Sequence, residues 1–233
     1  MRIDLISFSI ILCLLLCACV PKQELDAAKA LAQDIGAQSY HVKNNLSGFS
    51  PSIELSFEGV TNRDTGDRLA SLCAYTFFKK NPPADIKYER ILINMRTQSS
   101  NVRKSYNNTD ILLTDTLLQG SVQTLFKYYH DSTNYVLSQE YLKNTPFYAV
   151  AQEMAFMDSV YGHFSRAKIA GFKPDSILVG GTKVPILKMW VRVYYKRKSF
   201  PYYLGFYTDD RKLAFSICEF DPRDASRQFD FTE

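Results

Sequence analysis

The sequence predicts an α+β protein, and three patterns carry that expectation. Residues 52–60 alternate Ile53, Leu55 and Phe57 with Glu54, Ser56 and Glu58, the period-two signature of a half-buried strand. Leu69, Leu72, Cys73 and Phe77 then recur at helical spacing. The final third holds three strand-like runs, at 184–197, 202–207 and 213–220, joined by short links that read as an antiparallel meander.

Residues 5–20 form an apolar run broken only by Ser7 and Ser9, preceded by Arg2 and stopped by Pro21 and Lys22. The run is shorter than the ~20 apolar residues that a membrane-spanning helix needs. It also lacks the polar face of a surface helix. It therefore reads as a secretory leader. Its end, Leu16-Cys17-Ala18-Cys19, resembles the lipobox of bacterial lipoproteins, with Cys17 departing from the commonest choice at its position. The resemblance covers about the first twenty residues. It implies cleavage before Cys19 and lipidation of Cys19. The partner so implied is a membrane held through a lipid anchor, and the place is the cell envelope, on the periplasmic side or at the cell surface. Acyl chains contribute about 0.8 kcal/mol per buried methylene, enough in number to make such an anchor durable.

Residues 19–51 read as a lipidated stalk and linker, with a narrow helical stripe of Leu25, Ala28, Leu31, Ala32 and Ile35 ended by Gly36. Residues 52–97 read as a strand-helix-strand unit: the strand at 52–60, a turn at 62–66 with Asp64 as cap, the helix, and a second strand at 88–97 with Ile91, Ile93 and Met95 inward. That order fits a parallel pair with a helical crossover. The polar stretch 98–109 reads as a boundary or surface loop. Residues 110–221 read as a helical plus antiparallel-sheet domain, free-standing or joined to 52–97 in one domain. Its first helix carries the stripe Leu117, Leu118, Val122, Leu125, Phe126 and Tyr129. A second helix starts at Pro146. A shorter helix is expected over 162–171, a short strand over 176–179, and residues 222–233 form a polar tail. Over 147–220 the order of elements is similar to cystatin-like and NTF2-like folds, which host binders and enzymes alike and so imply no activity.

The chain of 233 residues has a net charge of +4. That is too mild for a nucleic-acid partner, which leaves a basic stripe or a much higher pI. Five cysteines are present, of which Cys13 and Cys17 lie in the leader. Cys73 and Cys218 remain, either as a disulfide, which an exported location permits, or as two free core thiols. No CxxC, Cys/His metal spacing, GxSxG, HExxH, P-loop or GxGxxG is present, so no metal, cofactor or catalytic residue is assigned.

The candidate ligand-binding surface is one face of the long strand at 184–197, where Lys188, Trp190, Arg192 and Tyr194 alternate with the apolar Leu187, Met189, Val191 and Val193. A tryptophan among cations suits a glycan or an anionic group. Packing beneath a helix is the competing reading. Among the histidines, His163 follows Asp158 by five residues, a spacing that does not share a helical face. Asp209-Asp210 reads as turn chemistry. The leading expectation is a membrane-anchored envelope lipoprotein that binds or scaffolds an envelope protein or glycan. The alternative is a small-ligand or glycan-binding domain, with or without hydrolysis, whose pocket lies between the C-terminal helices and the sheet.

Overall fold

The computed structural model describes residues 20–45, 50–61, 66–81, 88–97, 100–123, 126 and 156–218. Cys19 and the leader, Asp64, Leu125, Tyr129, the helix expected from Pro146 and the tail at 222–233 lie outside the described residues. The chain divides into two compact units, 1–108 and 109–233.

The first unit contains α1 (Lys22–Asp34), β1 (Ser39–Asn45), β2 (Ser52–Glu58), α2 (Asp67–Lys80), β3 (Arg90–Arg96) and β4 (Asn101–Asn107). Its sheet runs β1-β2-β3-β4. β1 and β4 pair antiparallel with their neighbours, while β2 and β3 pair in parallel. Parallel neighbours need a crossover, and α2 supplies it. The expected alternation decides the core: Ile53, Leu55, Phe57, Ile91, Ile93 and Met95 are each at most 1% exposed. They meet α2, which rests on β3 and β4, and α1, which rests on β1 and α2. Burying one such side chain contributes roughly 1.5–3 kcal/mol. Leu69, Cys73 and Phe77 are buried on one stripe of α2, as their spacing predicts. At its start, Asp67 complements the helix dipole and pairs with Lys104 of β4 at 2.9 Å. That exposed pair contributes about 1 kcal/mol or less. The Tyr106 hydroxyl donates to the Asp67 carbonyl beside it at 3.2 Å.

Two sequence expectations are corrected in this unit. The helical stripe expected within 19–51 is α1, docked through buried Ala27, Ala28, Leu31 and Ala32, whereas the part of that stretch read as linker contains the strand β1. The polar stretch read as a loop contains β4. Each of these two strands lies at a sheet edge and buries few side chains, Val42 in β1 and Tyr106 in β4. Backbone pairing holds them, and period-two hydrophobicity had little to report.

The second unit starts in α3 (Asn108–Leu117), which widens into a π turn at Leu118–Val122. Leu117, Leu118, Val122 and Phe126 are buried, the expected stripe so far as it is described. A helical segment at 156–161 buries Met157. An all-antiparallel sheet follows in the order β5 (Phe164–Val179), β6 (Thr182–Tyr195), β7 (Ser199–Tyr207) and β8 (Leu213–Cys218). The expected meander has four strands rather than three, because the helix expected over 162–171 is the first part of β5. Its glycines, Gly162 and Gly171, resemble helix stops in sequence. In the structure Gly171 sits at a register shift in the middle of β5. Gly180 and Gly181, at φ +56° and +83°, supply the two positive φ angles of a tight two-residue hairpin turn between β5 and β6.

Cys73, one half of the candidate disulfide, is a free thiol buried in α2. The side chain of Cys218 lies outside the described residues. Burial, reinforced by the negative charge of Asp34, pushes the Cys73 thiol up to about 12. A thiol that is neither ionised nor accessible is a poor nucleophile. In pulse alkylation at pH 8 with peptide mapping, Cys73 stays unmodified in the native chain and is labelled fully after unfolding. Ile93→Ala lowers unfolding free energy by roughly 2–5 kcal/mol in a urea titration. Ser105→Ala, on the exposed side of β4, stays within about 0.5 kcal/mol of the parent.

Candidate functional site

Strand parity sorts the second sheet into two faces. On the inner face Leu187, Met189, Val191 and Val193 of β6 are at most 1% exposed, as are Tyr202 and Leu204 of β7. The described helical rings pack here. Phe126 meets Tyr202 edge-on at 5.0 Å and stacks on Phe164 at 5.8 Å. Tyr161 meets Phe200 at 4.7 Å.

The outer face carries Lys188, Trp190, Arg192 and Tyr194 together, all half-buried. Among the described residues, the helical rings of Phe126 and Tyr161 lie against the opposite face of the sheet. The neighbours of the outer-face side chains come from β5 and β7. Arg166 stands opposite Tyr194, Lys168 opposite Arg192, Gly171 opposite Trp190 and Lys173 opposite Lys188. On the other side Trp190 is opposite Tyr203, their rings 5.2 Å apart and tilted by 30°. Glycine across from Trp190 places no side chain over the indole from β5. The face closes at one end, where Ile186 and Tyr207 are opposite each other and at most 2% exposed.

Sequence reading missed Arg166, Lys168, Lys173, Asp175 and Tyr203. The first four lie on β5, whose opening was read as helix. The available signal was the alternation of Arg166 and Lys168 with Ala167 and Ile169.

Charge on this sheet is one-sided. Strands β5 to β7 carry Arg166, Lys168, Lys173, Lys183, Lys188 and Arg192 against one carboxylate, Asp175. Asp175 spends that charge on Lys188, 2.7 Å away. The Lys188 hydrogen bond, helped by the Ser176 backbone N–H, holds the Asp175 carboxyl below the ordinary aspartate range, and the Lys188 ammonium is raised in turn. Arg166 and Lys168 lie over the Tyr194 ring at 4.9 and 5.8 Å, and Lys188 lies over Tyr203 at 5.9 Å. Arg192 donates to the Ser199 hydroxyl at 3.2 Å. Recognition of an anion or of a flat ring is within the reach of such a surface.

The remaining candidates are local. Asp158 and His163 meet at 3.3 Å despite their spacing, because the helix ends at Tyr161 and Gly162, at φ +80°, turns the chain back. The imidazole is 72% exposed. Asp209 and Asp210 each accept a turn N–H, from Asp210 at 2.8 Å and Lys212 at 3.0 Å. Among the described residues no three His, Cys, Asp or Glu side chains gather as a metal site. No described helix is long and apolar enough to cross a membrane. No protein-family model, curated protein or solved structure matches the chain.

Because its folded pKa is depressed, Asp175 contributes stability that is present above the unfolded aspartate pKa, about 3.9. That contribution is lost as pH falls through the lower folded value. Asp175→Asn therefore lowers stability at pH 7 by about 1 kcal/mol or less. The gap between parent and variant melting temperatures narrows below about pH 4.

Proposed function

We propose that the mature chain is a lipid-anchored protein of the bacterial envelope that binds rather than catalyses, and that the outer face of its second sheet is the binding surface. The observation that carries the binding role is the concentration of cations and aromatic rings on one sheet face with a single carboxylate among them. Surfaces built only for solubility interleave both signs of charge. The apolar leader and its Leu16-Cys17-Ala18-Cys19 ending support the anchor and the location. In that setting the partner is an envelope component, a protein or a glycan. Helical elements ahead of a long-stranded antiparallel sheet support a cystatin-like or NTF2-like relationship for the second unit. Such a relationship concerns architecture alone and leaves the activity to the site.

The anchor is tested by intact mass of the chain purified from bacterial membranes, beside a Cys19→Ala variant. The expected parent has lost residues 1–18 and gained acyl mass, and the variant partitions into the soluble fraction or keeps its leader. An uncut, unacylated parent sinks the envelope assignment.

A further inference from the structure

Two cross-strand pairs on the outer face set like charges directly against each other. Lys168 opposes Arg192, and Lys173 opposes Lys188. Opposed like charges weaken a sheet, and opposite charges at the same positions would strengthen it. The two pairs flank one row, Gly171–Trp190–Tyr203, which carries no charge. Asp175 relieves the pair at Lys188. Nothing comparable relieves the other, since neither Lys168, Arg192 nor the neighbouring Arg166 pairs with a carboxylate among the described residues.

We infer that this face binds an acidic polysaccharide. A carboxylate-bearing sugar sits at Lys168, Arg192 and Arg166, and the next ring of the chain stacks on Trp190 and Tyr203. The inference rests on reading the outer face as the binding surface and adds the ligand class. Three features fit a linear anionic glycan. The guanidinium of Arg192 is tied on one side only, to Ser199, which leaves donors for a planar carboxylate. The Trp190 and Tyr203 rings lie side by side at 5.2 Å and keep partial exposure, and Gly171 opposite Trp190 brings no side chain of its own. Arg192 and Lys188 are four residues apart on β6, roughly 13 Å along a strand, the reach of a short oligosaccharide. An anionic lipid surface matches the charge but calls for exposed apolar side chains to insert, whereas Trp190 and Tyr203 are half-buried.

The test uses the full mature chain in non-ionic detergent, so it does not depend on whether the chain is lipidated. Polygalacturonate, neutral dextran and phosphatidylglycerol vesicles are offered in turn, with binding read by calorimetry or co-sedimentation. The expected result is salt-sensitive binding of polygalacturonate alone. Trp190→Ala and Arg192→Gln each weaken it about tenfold or more. Lys168→Glu is the decisive variant. It sets opposite charges at the strained pair, so it raises the melting temperature by a few degrees while abolishing binding. Lys168→Gln shifts both quantities in the same directions by less. Binding of vesicles but not of polygalacturonate assigns the face to membrane and overturns the glycan. Equal binding of dextran removes the charge argument. A Lys168→Glu variant that is less stable, or that still binds, overturns the inference. No binding of any probe overturns the acidic-polysaccharide ligand, while leaving the Cys19 anchor and a protein partner for the same face untouched.

Discussion

The register between β5 and β6 is the constraint on which the second unit depends. A strand has a side-chain period of two, so one residue of slip exchanges core and solvent faces. The Gly180–Gly181 turn sets where pairing starts, with Val179 against Thr182. Two register shifts then change parity along β5, one between Ile169 and Gly171 and one between Phe164 and Arg166. Ahead of the Ile169–Gly171 shift, Ala167 is buried while Arg166 and Lys168 are exposed. Beyond it, Phe172 is buried while Lys173 is exposed. Without the bulge, an even-numbered Phe172 would share the outer side with Lys168, and Lys173 would enter the core. The shift at Ile169–Gly171 thus lets one strand supply cations to both ends of the outer face while Ala167 and Phe172 both stay on the inner one.

The same parity explains what could be read from the sequence. Central strands were legible. β2 and β3 show clean alternation because one side is covered by helices and the other meets water, and β6 shows it from Leu187 onward. The strands that escaped notice, β1, β4 and all of β5 but its end at 176–179, lie at sheet edges. An edge strand can be held by its backbone ladder while burying one or two side chains, as Val42 and Tyr106 illustrate. Polar and charged residues are favoured there because they discourage pairing with other chains. β5 had a second disguise, since glycines at both ends of 162–171 imitate a short capped helix and the bulge interrupts its alternation. Half of the candidate site was therefore visible, the half on β6. The cross-strand cations that give it an electrostatic character were not.

Net charge concealed the same feature. A chain at +4 reads as electrostatically ordinary, yet the second sheet gathers six cations and one acid on three strands. In the first unit the signs mix on the open side of the sheet, where Glu54 accepts a 2.9 Å hydrogen bond from Asn94 and Glu58 lies beside Arg96 in the register. Summing over the chain averages a polar, balanced surface with a one-signed one. Field and specificity belong to the arrangement and not to the total.

The asymmetry within the outer face narrows the argument further. Both like-charge pairs cost stability, and a sequence selected for folding alone could remove either with one substitution. At Lys188 the cost is offset locally by Asp175, and the same ammonium also rests over Tyr203. At Lys168 and Arg192 the only compensation among the described residues is the Tyr194 ring beneath Arg166 and Lys168 and the hydroxyl of Ser199, neither of which carries a negative charge. Rings and hydroxyls keep cations oriented without neutralising them, so the field at that end remains available to an outside anion. On the proposed reading of this face, an interaction left unsatisfied next to side chains already held in place is what preorganisation for an outside anion would require.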